Sequence, residues 1–172
     1  MDEKRTYGFE PLLCDNPRIV ILGTLPGQES LRENEYYYSN SNRIWKVLCL
    51  LKNEPTPTNY NEKKQLLAKY HIALWDYYES AIRIGSCDNK ISDARPVDIC
   101  GFLSNHPTIN TIAINGFGKY KKFGKKIRKK VKKVFPNNQI RVLRMPETSG
   151  VNANHGWGDL NVLAKEWNRI FE

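Results

Sequence analysis

RIVILG, residues 18–23, is a short apolar run that ends in glycine, and this pattern predicts a buried β-strand. Two further apolar runs, at residues 72–75 and 111–114, and the segment QIRVLR at residues 139–144 predict three more strands. Helical patterns occupy residues 43–52, 61–69, 97–104, 119–133 and 159–171. Strands that alternate with helices predict a parallel sheet with helices on both faces. We therefore expect an α/β fold of three layers, α/β/α, around a central four-stranded parallel sheet.

The length and composition are typical of one globular domain spanning residues 1–172. The chain has 172 residues, of which 40% are apolar and 11% aromatic. No apolar run approaches the roughly 20 residues that span a bilayer. The N-terminus, MDEKRTYGFEPLL, has acids among its first charges and no apolar signal core. We therefore predict a cytoplasmic monomer that does not associate with membranes.

Residues 119–133, KYKKFGKKIRKKVKK, hold most of the excess positive charge. They contain ten Lys or Arg and no acid, whereas the chain as a whole carries +9. Their apolar residues recur every three or four positions, which predicts a helix with a lysine-rich outer face. Such a face favours binding to a polyanion, nucleic acid first of all. A solvated face that serves only solubility is the alternative.

Cysteines and histidines give no sign of a metal site. The four cysteines, Cys14, Cys49, Cys87 and Cys100, are widely spaced and form no C-x-x-C pair. The three histidines are equally scattered, and structural zinc or iron–sulfur sites use tighter spacing. We expect no metal and no other cofactor.

The residues that follow the predicted strands favour recognition of a nucleobase. In a parallel sheet these carboxyl ends share one edge, where ligands bind. They bring together glycines, hydroxyls, the tyrosines of residues 36–38 and the amide of Asn115. An amide pairs with a base edge, and an aromatic ring stacks on a base. The alternatives are ordinary aromatic packing for the tyrosines and a strand-to-helix turn at Asn115-Gly116.

Residues 76–92 give a weaker pattern, which predicts a helical turn followed by a loop. Asp76 ends the second predicted strand. Its side chain either points into the pocket at the sheet edge or caps the next turn, and we favour the cap.

Five motifs in order resemble the uracil-DNA glycosylase superfamily, most closely its hypoxanthine-DNA (deoxyinosine) glycosylase branch. They are LGTLP at 22–26, YYSNSNRIW at 37–45, ALWD at 73–76, NG at 115–116 and ETSGVNA at 147–153. The resemblance implies a uracil-DNA glycosylase-like fold. It also implies a monofunctional DNA N-glycosylase that hydrolyses the N-glycosidic bond of a deaminated base flipped out of double-stranded DNA. Hypoxanthine is the implied base, with uracil and xanthine as alternatives.

The resemblance also implies roles for individual residues. Most members of the superfamily have Asp or Asn where this chain has Leu25, and in the hypoxanthine branch the motif Asn, here Asn42, handles the attacking water. Tyr37 would stack on the base, Asn115 would read its edge and Leu25 would line its pocket. Val151 is the candidate wedge that fills the hole left by the flipped base. The remaining motif residues implied to contact DNA are Gly23, Pro26, Gly27, Ser149, Gly150 and Asn152. The basic segment adds Lys119 and Lys122 as candidate contacts to the DNA backbone.

Two departures from the branch pattern leave further functions open. Its His-Pro is replaced by Asn40-Ser41, and the Pro of its last motif is replaced by Gly150. With Leu25, these changes allow a catalytically impaired member that acts as a DNA-binding module. The sequence also leaves open a mismatch-specific uracil-DNA glycosylase, a lysine Schiff-base lyase and a small-nucleotide binder.

Overall fold

A computed structural model describes residues 5–86, 88–116 and 121–172, without the side chains of residues 89, 121 and 122. Its centre is a parallel sheet of four strands in the order β3-β2-β6-β7. The strands are β2 (Ile19–Gly23), β3 (Ile72–Asp76), β6 (Thr111–Asn115) and β7 (Arg141–Met145). The predicted four-stranded parallel sheet is therefore confirmed.

Helices cover both faces of this sheet, which confirms the three layers. One face packs against α2 (Ile44–Lys52), α3 (Tyr60–Lys69) and α6 (Leu160–Trp167), and Trp167 is fully buried there. The other face packs against α4 (Ile99–Asn105) and α5 (Lys121–Val134). A short helix, α1 (Gln28–Glu33), follows β2. None of the described helices is long and apolar enough to cross a membrane.

A second, antiparallel sheet was missed by the sequence prediction. It consists of β1 (Arg5–Tyr7), β4 (Tyr78–Arg83) and β5 (Ile91–Pro96), in the order β1-β4-β5. The prediction of a helical turn and a loop at residues 76–92 is wrong for β4 and the start of β5. The central strand β4 pairs with a strand more than 70 residues earlier, Arg5 with Ile82, and local sequence carries no signal for such a partner.

The basic helix α5 has the amphipathic pattern that its sequence predicts. Phe123, Ile127 and Val131 are buried against the sheet. The basic side chains from Lys125 onward are exposed. Lys119 lies outside the described residues, and so does the side chain of Lys122.

Candidate active site

A cavity of about 740 Å³ opens at the carboxyl ends of the parallel strands. Tyr37, Asn42 and Asn115 all line it, so the residues on which the predicted function depends share one space. Other predicted residues line the same cavity: Gly23, Leu25, Pro26, Gly27, Ser149 and Val151. Gly150 and Asn152 belong to the 3₁₀ turn that carries Val151, but they are not among the lining residues.

A directed chain of hydrogen bonds joins the two asparagines through Thr148, which is completely buried. Thr148 N–H donates to Asn115 Oδ1 over 3.0 Å, so Asn115 must donate from Nδ2 to Thr148 Oγ1, at 2.9 Å. The Thr148 hydroxyl therefore donates its own hydrogen bond to Asn42 Oδ1, at 2.8 Å. Each bond fixes the direction of the next, because a backbone N–H can only donate.

Asn42 consequently offers hydrogen-bond donors to the cavity. Its Oδ1 also accepts the N–H of Ile44, the first residue of α2, over 3.0 Å. With two donors on Oδ1, the free group of the side chain is the Nδ2 amide. This group can hold a water oxygen or a developing negative charge, but it cannot remove a proton.

The loop that carries Val151 is held by the neighbouring motif. Arg43 N–H donates to Thr148 O over 2.8 Å, and the Arg43 guanidinium donates to Trp157 O. A Cβ on Gly150 would lie 2.9 Å from Cβ of Ser41, so two of the departures from the branch pattern pack against each other. Val151 is 74% exposed at the edge of the cavity.

Tyr37 adopts a backbone conformation that tyrosine rarely uses. Its φ is 51°, in the left-handed region, and the Trp45 indole N–H donates to its carbonyl over 3.1 Å. The ring packs edge-on against Trp45, with centroids 6.4 Å apart. Its hydroxyl is buried, with no hydrogen bond of acceptable geometry from the part of the chain that the structure describes. Burial raises the pKa of Tyr37 against the lowering effect of the nearby Asn115 amide, so the phenol stays protonated.

Asp76 points into the cavity, which corrects the favoured prediction that it caps the following turn. Its side chain is buried, and its Oδ2 accepts the N–H of Phe9 over 3.0 Å, from a segment 67 residues earlier. Burial raises the pKa of Asp76 from its ordinary 3.8 to about 7. The Phe9 N–H and the nearby Arg83 oppose this rise, and Asp88 adds to it.

Arg83 fixes the segment that follows β2. Its side chain is buried, and its guanidinium donates to the carbonyl of Leu25 at 3.4 Å and to that of Pro26. It also pairs with Asp88 at 3.3 Å. The antiparallel sheet, through β4, therefore holds the rim on which Leu25 lies.

Sequence reasoning missed three residues of this site as site residues: Thr148, Asp76 and Arg83. Thr148 stands inside one of the five motifs, ETSGVNA, and its position between two site amides could have flagged it. Asp76 ends ALWD, so its place on the rim was visible and only its orientation was not. For Arg83 no local signal exists, since its role depends on the antiparallel sheet.

No group of three or more His, Cys, Asp or Glu within residues 5–86, 88–116 and 121–172 is arranged to hold a metal ion. The cavity instead presents amide, hydroxyl, carboxyl and aromatic groups.

Similar proteins of known family place the chain in a family, although no family model matches it. A hypoxanthine DNA glycosylase of Methanosarcina acetivorans is 36% identical over 110 residues, which cover 63% of this chain and 70% of that protein. A hypoxanthine DNA glycosylase of Methanosarcina barkeri is 32% identical over 113 residues, 65% of this chain and 72% of that protein.

A solved structure extends the similarity to the whole fold. It is a solution NMR structure from Methanosarcina acetivorans, assigned provisionally as a uracil DNA glycosylase. It superposes with a TM-score of 0.76 at 26% identity and covers 98% of this chain and 100% of that chain. The shared fold, the cavity and the two curated relatives agree, and the chain belongs to the hypoxanthine-DNA glycosylase branch of the uracil-DNA glycosylase superfamily.

Proposed function

We propose that this protein is a monofunctional DNA glycosylase that hydrolyses the N-glycosidic bond of a deaminated base flipped out of double-stranded DNA. One observation carries the proposal: Tyr37, Asn42 and Asn115 line a single cavity, and Thr148 ties the two amides together. Hypoxanthine is the base named in both curated relatives, and uracil and xanthine are the alternative bases.

The cavity suits a flipped nucleotide in size and in chemistry. Extrusion from the stack costs a few kcal/mol, least at a mispair, and a preformed pocket offsets that cost. Tyr37 would stack on the base, and Leu25 would supply an apolar wall. Asn115 keeps one Nδ2 hydrogen after its bond to Thr148, and it would donate this hydrogen to a carbonyl of the base.

Hydrolysis needs a positioned water and stabilisation of separating charge. As the bond from C1′ to the base breaks, the sugar gains positive charge and the base leaves with the bonding electrons. Asn42 would hold the water oxygen with its Nδ2 hydrogens and present it to C1′, so that positioning rather than proton abstraction supplies the rate. The water oxygen then bonds to C1′, and its released proton passes to solvent or to the departing base.

The DNA strand would be held at the cavity edge. Gly27 would place its backbone N–H near a phosphate, with Gly23 and Pro26 forming the same turn, and Ser149, Gly150 and Asn152 would contact the strand from the opposite loop. Val151 is the exposed side chain of that loop and would fill the space vacated by the base. Lys119 and Lys122 would add charge ahead of the exposed lysines of α5. We also propose that residues 1–172 act as a single-domain monomer in the cytoplasm.

Single-lesion duplexes test the proposal directly. The protein, in excess, is incubated with duplexes that contain one deoxyinosine, deoxyuridine or deoxyxanthosine, and abasic sites are then cleaved with alkali. We expect strand cleavage after alkali, with deoxyinosine among the substrates, and no cleavage without it. Intact DNA under conditions of saturated binding would instead identify a DNA-binding module.

The lyase alternative has its own readout. A lysine Schiff base would be trapped by borohydride as a protein–DNA crosslink, and we expect no such crosslink. The lysines of α5 from Lys125 onward are exposed to solvent, and a Schiff-base lysine needs a desolvated site.

A further inference from the structure

Helix α5 runs along the side of the central sheet, away from the mouth of the cavity. A Cβ on Gly124 would lie 3.0 Å from Cδ of Arg144, the next-to-last residue of β7, so this part of α5 is level with the carboxyl edge of the sheet. Arg128 donates to the carbonyl of Val142 over 2.8 Å, near the start of β7. The last turn of α5 lies beyond Arg128 and is therefore at the amino edge, opposite the cavity.

Exposed lysines follow one another along α5 in a single strip. Lys125, Lys129, Lys132 and Lys133 recur at helical spacing, so they share the outer face. We call the first two the proximal lysines and the last two the distal lysines. Lys133 comes nine positions after Gly124, which corresponds to about 14 Å along the helix axis. The strip therefore extends from the level of the cavity mouth to the opposite edge of the sheet.

The charge of the distal lysines is not neutralised by nearby acids. Residues 99–146 contain twelve Lys or Arg and neither Asp nor Glu. Lys130 pairs with Asp98 at 3.6 Å, but the distal lysines have no ion pair with any residue that the structure describes. The loop that follows α5 adds exposed amides at residues 137–139, and such amides donate to phosphate oxygens in complexes with DNA.

A duplex bound at the mouth does not reach the distal lysines. The mouth opens along the direction of the strands, whereas the outer face of α5 points sideways, away from the sheet. A duplex would have to turn through about a right angle to follow α5, and bending 20–30 bp by 40–90° costs on the order of 1–6 kcal/mol. A lysine side chain spans only about one helical turn. The distal lysines are therefore left for another partner.

We propose that the distal lysines and the amides of residues 137–139 bind a second segment of double-stranded DNA while the cavity mouth holds the first. This goes beyond the proposed function and rests on it only for the first segment. Val134 is the one exposed apolar side chain of the described part of α5, whereas protein interfaces are centred on apolar and aromatic groups. The apolar stripe of α5 is buried against the sheet, so it is not free to enter a membrane.

Two DNA sites on one molecule allow transfer between segments without release into solution. Once the second site holds a new segment, that segment is at a high effective concentration near the mouth. The rate at which the protein leaves one duplex therefore increases with the concentration of another. Such transfer suits a protein that inspects many undamaged positions, because contacts to phosphates do not depend on sequence.

The test measures dissociation from a short, fluorescent, undamaged duplex after mixing with increasing concentrations of the same duplex without label. We expect the dissociation rate of the unchanged protein to rise in proportion to competitor concentration. Lys132→Gln/Lys133→Gln should lower this slope by a factor of about five to ten, and change affinity for a short lesion duplex by less than about threefold. Lys64→Gln/Lys165→Gln is the matched control, since it removes the same charge from α3 and α6, and its slope should equal that of the unchanged protein.

A dissociation rate of the unchanged protein that does not depend on competitor concentration would overturn the proposal. So would an equal loss of affinity for the short lesion duplex in Lys132→Gln/Lys133→Gln and Lys125→Gln/Lys129→Gln, since α5 would then serve one duplex. Equal acceleration by polyglutamate at the same charge concentration would overturn the assignment to DNA. Because the measured duplex is undamaged, a failure to excise any lesion would count against the proposed function alone.

Discussion

The cavity and the basic helix α5 are built in opposite ways. The helix comes from one continuous segment. Its charge and its apolar stripe can both be predicted from fifteen consecutive residues, 119–133. The cavity draws on separate segments that the fold brings together, from Gly23 at the end of β2 to Val151 after β7. The contrast teaches that affinity for a polyanion can be read from composition, whereas the chemistry depends on tertiary structure.

The two regions also differ in how they affect the stability of the fold. The cavity contains a tyrosine at φ 51°, a buried carboxyl and a buried hydroxyl without a well-formed hydrogen bond. Each of these features is unfavourable for stability on its own. The described part of α5 follows the ordinary rule, with apolar residues inward and charges outward. Unfavourable features that are retained at one site favour a functional reason for them.

The largest effect is expected for Asn42→Ala. Removal of the group that positions the water should lower the single-turnover rate about 10²–10³-fold. Affinity for the lesion duplex should change by less than about threefold, because α5 is untouched. Rates at saturating protein and gel-shift titrations measure the two quantities.

The control for this variant is Asn138→Ala, which removes an exposed amide outside the cavity. A full excision rate in Asn42→Ala would show that another group handles the water. A large loss of affinity would show that the cavity and the DNA-holding surface are not separable.

The second effect concerns binding alone. The double variant Lys125→Gln/Lys129→Gln removes two exposed lysines of α5, neither of which has an ion pair with a described residue. We expect about a tenfold loss of affinity at moderate salt and a decrease of about 1.8 in the slope of log K against log salt. The rate at saturation should be unchanged.

Lys64→Gln/Lys165→Gln is the matched control, since it removes the same charge from α3 and α6 in the opposite layer. Equal losses of affinity in the two double variants would mean that net charge, and not the face of α5, holds the DNA. No loss in either would favour a lysine face that serves only solubility.

A smaller effect on rate is expected when the link between the two asparagines is cut. Thr148→Val keeps the shape but removes the hydroxyl that receives from Asn115 and donates to Asn42. We expect a five- to tenfold lower rate at saturation and a loss of about 1–3 kcal/mol in the free energy of unfolding. Denaturant titration and single-turnover kinetics measure these. Unchanged kinetics would show that the asparagines do not depend on this bond for their position.

The smallest effect is on stability, through Asp76. A carboxyl whose pKa is raised from 3.8 to about 7 favours the folded state at low pH, and this advantage is lost as pH rises through about 7. Asp76→Asn should therefore raise Tm by about 2–6 °C at pH 8 relative to the unchanged protein, with a smaller gain at pH 5.

Besides burial, the groups that shift the pKa of Asp76 are the Phe9 N–H, Arg83 and Asp88. The charge of Asp76 in turn raises the pKa of Tyr36 and Tyr37. Thermal melts at the two pH values decide the prediction. A lower Tm for Asp76→Asn at pH 8 would mean that the ionised carboxylate stabilises the fold.

Three strands of the central sheet, β2, β3 and β6, were predictable because each is a short and mainly apolar run that is buried on both faces. The edge strand β7 has arginines within it, and only Val142 and Met145 are buried. β4 was not predictable, because its sequence YESAIR mixes polar and apolar residues and its pairing with β5 shifts register. What determines this strand is a distant partner, β1, and not its own periodicity.

For the site, the sequence indicated which residues lie on the rim but not which way they point. Asn115 was found because it ends a predicted strand, and Asn42 because it lies in a motif that resembles the superfamily. The direction of each amide depends on Thr148, and that of Asp76 on Phe9. Such contacts join segments far apart in the chain, so spacing alone cannot reveal them.

The most direct test of the central claim, that the cavity performs the chemistry while α5 holds the DNA, is the salt dependence of excision from a deoxyinosine duplex. Affinity and the single-turnover rate at saturating protein are measured in parallel as salt is raised. We predict that affinity falls steeply with salt while the rate at saturation stays constant. A rate constant at saturation that falls in step with affinity would contradict this division.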